Sequence, residues 1–236
     1  MSGWRAVILL EVAAMKTRVL LCAGVLLFCA HAYGATILLN NTGAGTALGG
    51  VDPNWIISPW NPQPAYATNP TSTSYPIPPW LANDATSKWI SPKAVYSPGD
   101  ADALGYWQFQ TSFTLAPGMD PSTVSITGRW IADNWGADIY VNNVPYTPAQ
   151  TTPADQFATW TSFSLSGSSG LFTTGTNTLL FVVRNQDTGP NGPTGLRVEM
   201  SGTVSEFAEI PEPATVAMLG AGLLALGLVS RRKRNV

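Results

Sequence analysis

A two-residue alternation of hydrophobic and polar positions runs through the second half of the chain. In residues 105–115 (GYWQFQTSFTL) the aromatic and aliphatic side chains share one face, and the glutamines share the other. The same period recurs in residues 123–130, 139–141, 179–184 and 196–204, with Gly, Asn and Pro between the runs. Short alternating runs separated by turn residues predict an all-β fold, an antiparallel β-sandwich or barrel.

Residues 51–100 have a different texture, because they contain ten prolines and four tryptophans. Proline cannot donate a ladder hydrogen bond, so this density argues against interior strands and long helices. Disordered segments are usually poor in aromatic residues. We therefore expect long loops that aromatic side chains pin onto the sandwich.

The first 34 residues have the layout of a secretory signal peptide. Lys16 and Arg18 precede the apolar run 19–30, and small residues at positions 32 and 34 suit signal peptidase. We expect removal of residues 1–34 and translation from Met15.

This removal has a chemical consequence. Cys22, Cys29 and His31 are the only cysteines and histidine of the chain, and all three lie in the predicted signal. The exported domain, residues 35–210, would then lack Ser-His-Asp and Cys-His machinery, Cys/His zinc sites and disulfides. Its stability would come from a packed core.

A second apolar segment, residues 214–229, stands near the C-terminal end, and only Thr215 in it carries a polar side chain. A basic run follows, whose residues are Arg231, Arg232, Lys233 and Arg234. The pattern predicts a short transmembrane helix with its basic stop in the cytoplasm. Pro211, Glu212 and Pro213 precede it, and two prolines favour an extended, accessible backbone there.

These three parts in order, Pro-Glu-Pro, apolar helix and basic end, resemble the PEP-CTERM sorting signal over residues 211–236. The resemblance implies an exosortase as processing partner and an exopolysaccharide-producing Gram-negative bacterium as source. It also implies export across the inner membrane and transient anchoring by the helix. The destination would be the cell surface or extracellular matrix.

Phrases within residues 105–115, 126–144 and 175–197 resemble the galactose-binding-like jelly roll. The resemblance spans roughly residues 85–204. Members of that family include carbohydrate-binding modules and accessory domains of glycosidases, so it implies a glycan or exopolysaccharide partner.

Charge excludes another class of partner. Residues 35–210 carry five Lys or Arg and twelve Asp or Glu, a formal charge of −7. Phosphate binding relies on Lys and Arg, so we expect no nucleic-acid partner.

Tryptophans outside the alternating pattern are the candidate glycan-binding residues. Trp135 lies in a predicted turn, where a large apolar ring needs a reason to be exposed. Trp55, Trp60 and Trp80 lie in the proline-rich segment. The alternative role for all four is to pack loops against the sandwich.

Calcium is the one candidate cofactor, through Asp100, Asp102, Asp133 and Asp138. Ca²⁺ prefers carboxylate and carbonyl oxygens, and jelly rolls of the family resembled often hold a structural calcium. The alternative is ordinary turn chemistry, in which short side chains bond to nearby backbone.

Together these observations predict a non-catalytic carbohydrate-binding protein of the cell surface or exopolysaccharide matrix. One alternative is a structural biofilm protein without a specific glycan ligand. The other is a glycosidase, which would need two carboxylates facing one cleft.

Overall fold

The structure is a computed structural model. It describes residues 34–58, 63–68, 75–154, 157–186, 192–207 and 213–232. The chain divides into a β unit, Tyr33–Phe207, and a second unit formed by Met1–Ala32 and Ala208–Val236.

The β unit contains eleven antiparallel strands in the order β8-β7-β10-β5-β2-β3-β4-β11-β6-β9, and β1 pairs with β11. The strands are β1 (Gly34–Ile37), β2 (Val51–Ile57), β3 (Gln63–Ala67), β4 (Ile90–Ser91), β5 (Gly105–Leu115), β6 (Ser125–Asp133), β7 (Trp135–Val141), β8 (Val144–Pro145), β9 (Thr161–Ser166), β10 (Gly175–Asn185) and β11 (Gly195–Ser205). We call β8, β7, β10, β5 and β2 the first layer, and β1, β11, β6 and β9 the second layer.

The two layers face each other across one hydrophobic core. Phe181 on β10 lies with its ring centroid 5.4 Å from Trp130 on β6 and 5.6 Å from Phe163 on β9. All three side chains are buried. The predicted antiparallel β-sandwich is therefore confirmed, whereas its assignment to the galactose-binding-like jelly roll stays a prediction.

The two-residue alternation placed the core side of the strands correctly. Phe109, Phe113 and Leu115 of β5 point into the core, and the glutamines of β5 face away from it. Asn142 and Asn143 turn the chain between β7 and β8 with φ of 51° and 66°. Asparagine tolerates this left-handed backbone better than most residues, which explains its place in a two-residue hairpin turn.

The expectation that the proline-rich segment holds no interior strand is wrong. β2 lies between β5 and β3, and β3 carries Pro64. Pro53 of β2 falls between Val51 and Ile56, where the register with β3 shifts. An irregular ladder tolerates a residue without an N–H, so proline fits there.

Residues 76–89 cover the outer surface of the second layer, as the sequence predicted for aromatic-pinned loops. Trp80 and Trp89 stack with ring centroids 4.4 Å apart, and both pack with Ile131 of β6. We call residues 76–89 the strap.

Arg197 of β11 ties the strap down. Its Nε donates to Ser87 Oγ at 2.7 Å, one Nη donates to the Ala82 carbonyl, and the other donates to Asp84 Oδ2 at 2.7 Å. The side chain of Arg197 is only 1% exposed. The alternation placed Arg197 on the polar face of β11, and the strap buries this residue by packing over that face.

Beyond the β unit, helix α1 spans Pro213–Arg232. Pro213 is its first residue, so it is helical and not extended; proline is well tolerated there because the missing N–H would lack a partner. Arg231 is exposed. In the described part of the chain, no helix combines the length and apolar character that a membrane crossing requires. Residues 1–33 of the predicted signal peptide lie outside the described residues, as do Pro211, Glu212, Lys233 and Arg234. Gly34, the last residue of the predicted signal, begins β1.

Candidate functional site

One row of side chains crosses three strands of the first layer on the face turned away from the core, which we call the outer face. Arg184 of β10 pairs in register with Tyr106 of β5 on one side and with Trp135 of β7 on the other. Neighbouring strands lie about 4.8 Å apart, so the three residues stand side by side. The row lies where β5 and β7 begin and β10 ends.

A cleft of about 450 Å³ opens at this row, and we call it the aromatic cleft. It is lined by Tyr106, Trp135, Gly136, Ala137, Thr151, Thr152 and Ala154. Tyr106 is 62% exposed and Trp135 is half-buried. Two aromatic side chains and two threonine hydroxyls therefore line a concave surface open to solvent.

Two hydrogen bonds between Gly136 and Thr152 hold one wall of the cleft together. The Gly136 N–H donates to Thr152 Oγ1 at 2.6 Å, and the Thr152 N–H donates to the Gly136 carbonyl at 2.9 Å. Gly136 is required at its position, because a Cβ there would stand 2.2 Å from the indole of Trp130. This close approach seats β7 directly on the core tryptophan.

Asn134 fixes the end of β10 against the start of β7. Its N–H donates to the Arg184 carbonyl at 3.0 Å, and its Oδ1 accepts from the Gln186 N–H at 2.8 Å. Asn134 is almost fully buried. These bonds set the position from which Arg184 and Trp135 extend.

Arg184 differs from three of the four other cations of this acidic domain, and the fourth, Lys88, donates to the Gly43 carbonyl. Lys93, Arg129 and Arg197 each lie within 4 Å of a carboxylate oxygen. Arg184 has no such partner among the described residues, and its Nε is buried without a hydrogen bond. Its guanidinium carbon lies 4.7 Å from the centroid of the Tyr106 ring, a cation–π distance.

This arrangement suits binding better than catalysis. Aromatic faces and hydroxyl groups contact a ligand without changing its bonds, and the guanidinium can donate to hydroxyl or carboxylate oxygens. No Asp or Glu is among the residues that line the cleft. The paired carboxylates that glycoside hydrolysis needs are therefore not assembled by the described lining.

Of the three predicted tryptophans that the structure describes, Trp135 is the one that lines a cleft. Trp55 is 1% exposed, packs 5.6 Å from Phe181 and donates its indole N–H to the Asn40 carbonyl. Trp80 is 2% exposed and donates to Asp133 Oδ2 at 2.6 Å. The proposal of glycan stacking is wrong for Trp55 and Trp80, because their ring faces are covered by protein. Trp60 lies outside the described residues.

Tyr106 and Arg184 were missed as site residues. The signal for Tyr106 was available, since it shares the polar face of β5 with Gln108 and Gln110. Arg184 follows Leu180 and Val182 on the same face of β10. Because that face is mostly apolar, the sequence indicated a strand covered on both faces and gave no reason to place a binding residue there. Their meeting with Trp135 depends on strand register.

The four candidate calcium aspartates do not form one site. Asp102 accepts from the Tyr96 hydroxyl and the Thr194 N–H, Asp100 accepts from the Ser97 N–H, and Asp138 accepts from the Ile139 N–H. Burial, and then the charge of Asp102, raise the pKa of Tyr96 well above its ordinary value, which keeps its hydroxyl a donor. In the described segments, no three His, Cys, Asp or Glu side chains are grouped to hold a metal.

A larger cleft, about 580 Å³, lies on the second layer beside the strap and includes Arg129 and Glu199. These two side chains form an ion pair at 2.7 Å, and Arg129 also lies 4.4 Å from the ring of Trp160. Its charged groups therefore satisfy each other. Arg184, beside the aromatic cleft, differs in having no carboxylate oxygen within 4 Å in the part of the chain that the structure describes.

Comparison with solved structures found likenesses to family 35 carbohydrate-binding modules. One from Clostridium thermocellum is 12% identical with a TM-score of 0.32, and the match covers 52% of this chain and 82% of that one. Another from Paenibacillus barcinonensis is 17% identical with a TM-score of 0.28, and covers 50% and 83%. A third, from an environmental isolate, is 14% identical with a TM-score of 0.30, and covers 50% and 77%. Values this low carry no argument about function.

Comparison with curated protein sequences found no match. The model of the PEP-CTERM protein-sorting motif matches residues 209–234, which contain the Pro-Glu-Pro sequence, the apolar run and all four residues of the basic run. The match covers the segment where the sequence predicted a sorting signal. This chain therefore carries a PEP-CTERM protein-sorting motif.

Proposed function

We propose that this protein is an exported surface or matrix protein, sorted by an exosortase, whose β unit binds a glycan without catalysis. The observation that carries the binding proposal is the row Tyr106–Arg184–Trp135 at the aromatic cleft. Signal peptidase, a membrane anchor and an exopolysaccharide partner belong to the same proposal.

The chemistry of the row supports a sugar as the ligand. Tryptophan and tyrosine present a flat apolar face together with a polar atom, and a sugar ring likewise has apolar C–H faces and polar edges. Thr151 lines the cleft and can donate its hydroxyl to a sugar oxygen, whereas the Thr152 hydroxyl already donates to the Pro153 carbonyl. Arg184 stands in register between the two rings and supplies further donors beside the cleft. Because Arg184 has no acidic partner among the described residues, it can also donate hydrogen bonds to a carboxylate carried by a sugar.

The direction of the strands also supports this role. β11 begins at Gly195, opposite Asp133 near the cleft, and ends at Ser205, opposite Gly34. Eleven residues at about 3.3 Å each place these ends about 33 Å apart. Within the β unit, the aromatic cleft lies at the end opposite to the one where the chain continues toward the sorting motif.

A glycan array probed with the detergent-solubilised full chain tests the proposal. Trp135→Ala should lower affinity for the glycans bound by about tenfold, because it removes the larger aromatic face of the cleft. Phe207→Ala is the matched control, since Phe207 is an exposed aromatic residue at the opposite end of the β unit. Unchanged melting temperatures would show that both variants are folded.

The outcomes separate the candidate functions. Binding that is lost in Trp135→Ala and kept in Phe207→Ala supports a glycan-binding protein. No binding to any glycan, with and without added calcium, would favour a structural matrix protein. Release of reducing ends from a bound glycan would reveal a glycosidase.

A further inference from the structure

The outer face of β5 continues well beyond the aromatic cleft. Tyr106, Gln108, Gln110 and Ser112 project from this face at alternate positions. Six residues at about 3.4 Å each separate Tyr106 from Ser112, a distance of about 20 Å. One sugar ring in the aromatic cleft would contact only the first part of this row.

A second cleft, of about 220 Å³, lies at the other end of the row. It is lined by Asn40, Pro53, Asn54, Ile56, Gln110, Thr111 and Ser112. Ile56 of β2 pairs in register with Gln110, so β2 forms one wall of this cleft. The aromatic cleft therefore lies at the start of β5, and the second cleft lies beside the middle of β5, where β2 pairs with it.

The surface between the clefts combines buried aliphatic side chains of β10 with partly exposed glutamines of β5. Leu180 and Val182 of β10 lie on this face but are 3% and 8% exposed, between their neighbours on β5 and β7. The strap covers part of the outer face of the second layer, where Trp80 and Trp89 pack on Ile131. Gln108 and Gln110 of β5 are half-buried, so part of each side chain reaches solvent.

Within the described part of the chain, both glutamines keep side-chain amides that can bind a ligand. None of the hydrogen bonds among the described residues engages the side-chain amide of Gln108 or Gln110. Each amide can donate two hydrogen bonds and accept others, which matches pairs of hydroxyl groups. Apart from Asp138 on β7, the face between the clefts carries no charged side chain in register with β10, which suits an uncharged polyhydroxyl chain.

We infer that the ligand is a linear polysaccharide bound along its chain, with its length lying over β5 from the aromatic cleft to the second cleft. This inference rests on the proposed glycan-binding function and adds the form of the ligand. The aromatic cleft holds one sugar by stacking. Gln108, Gln110 and the second cleft hold the following sugars by hydrogen bonds.

Oligosaccharide ladders test this inference on the full chain. Calorimetry uses the cello-, xylo-, manno- and alginate series from disaccharide to hexasaccharide. In the series that binds, affinity should rise with length until both clefts are filled. The double variant Gln110→Ala/Ser112→Ala should lower hexasaccharide affinity roughly tenfold, the effect of one or two hydrogen bonds, and leave disaccharide affinity unchanged.

Two further variants complete the design. Trp135→Ala should weaken short and long oligosaccharides alike. Ser201→Ala/Thr203→Ala, on the exposed face of the second layer, should change neither. Affinity that is independent of length, or equal losses for short and long oligosaccharides in the Gln110 double variant, would overturn the chain-binding inference while leaving the aromatic cleft intact. Absence of binding by every series would remove the proposed function as well.

Discussion

Arg197 gives the sharpest test of how the β unit is held together, and replacing it with methionine is the perturbation. Methionine keeps much of the volume but removes all donors. The guanidinium donates two hydrogen bonds to groups inside the strap, Ser87 Oγ and the Ala82 carbonyl, and a third to Asp84. The change therefore removes the hydrogen bonds between the strap and β11 while it keeps most of the side-chain volume between them.

The magnitude follows from these bonds. Hydrogen bonds from a charged group contribute at least about 1.5 kcal/mol each, so the two bonds to Ser87 and Ala82 amount to about 3 kcal/mol. The bond to Asp84 adds little, because that side chain is 53% exposed and its carboxylate can be rehydrated. For a domain of this size, 3 kcal/mol lowers the melting temperature by about 6–12 °C.

Thermal unfolding of Arg197→Met and of the parent protein, followed by near-ultraviolet circular dichroism, measures the effect. The near-ultraviolet signal includes that of Trp80 and Trp89, which stack within the strap. Limited proteolysis should also cut the strap earlier in the variant. Arg129→Met is the control: it breaks the ion pair with Glu199, whose arginine is 48% exposed, and should cost less than about 1 kcal/mol.

A melting temperature for Arg197→Met within 2 °C of the parent, with the strap equally resistant to protease, would refute the reasoning. It would mean that the aromatic contacts of the strap hold it without Arg197. Equal losses in Arg197→Met and Arg129→Met would show instead that the general charge of the second layer matters more than the buried bonds.

Three more predictions concern pH, packing and sorting. Burial alone would raise the pKa of Asp84, but the N–H groups of Ser87 and Thr86 and the charge of Arg197 together hold it below its usual value. The contribution of Asp84 to stability is therefore fully present above about pH 4, its ordinary range, and is lost as the pH falls through the lowered pKa. In Asp84→Asn, acid titration of the unfolding free energy should show a shallower fall than in the parent; an identical fall would contradict this. Gly136→Ala should destabilise the β unit by about 1–3 kcal/mol in urea unfolding, because its Cβ would overlap Trp130, and an unchanged midpoint would show that β7 can shift. Deleting residues 209–236 from a tagged chain should change it from cell-associated to freely secreted or degraded, and an unchanged location by fractionation would argue against sorting by the motif.

Local properties of the sequence determined much of this protein. Side chains of a strand alternate between two faces, so the order of hydrophobic and polar residues in 105–115 assigned Phe109 to the core and Gln110 to the other side. Asn142-Asn143 marked a hairpin turn because its backbone conformation is set by the residues themselves. The sorting motif was also visible, since its parts are contiguous in the chain.

The tertiary structure alone decided which side chains share a surface. Trp55, Trp80 and Trp135 all lie outside the long alternating runs of the sequence, yet the first two are buried and the third lines a cleft. Their exposure depends on which segments pack over them, and that packing is a non-local property. Arg197 is buried for the same reason, because the strap that covers it lies far away in the sequence. Asp84 of the strap, which Arg197 contacts, is 113 residues earlier in the chain. The row Tyr106–Arg184–Trp135 exists because strand order places β10 between β5 and β7, and only the summed burial of the whole core fixes that register.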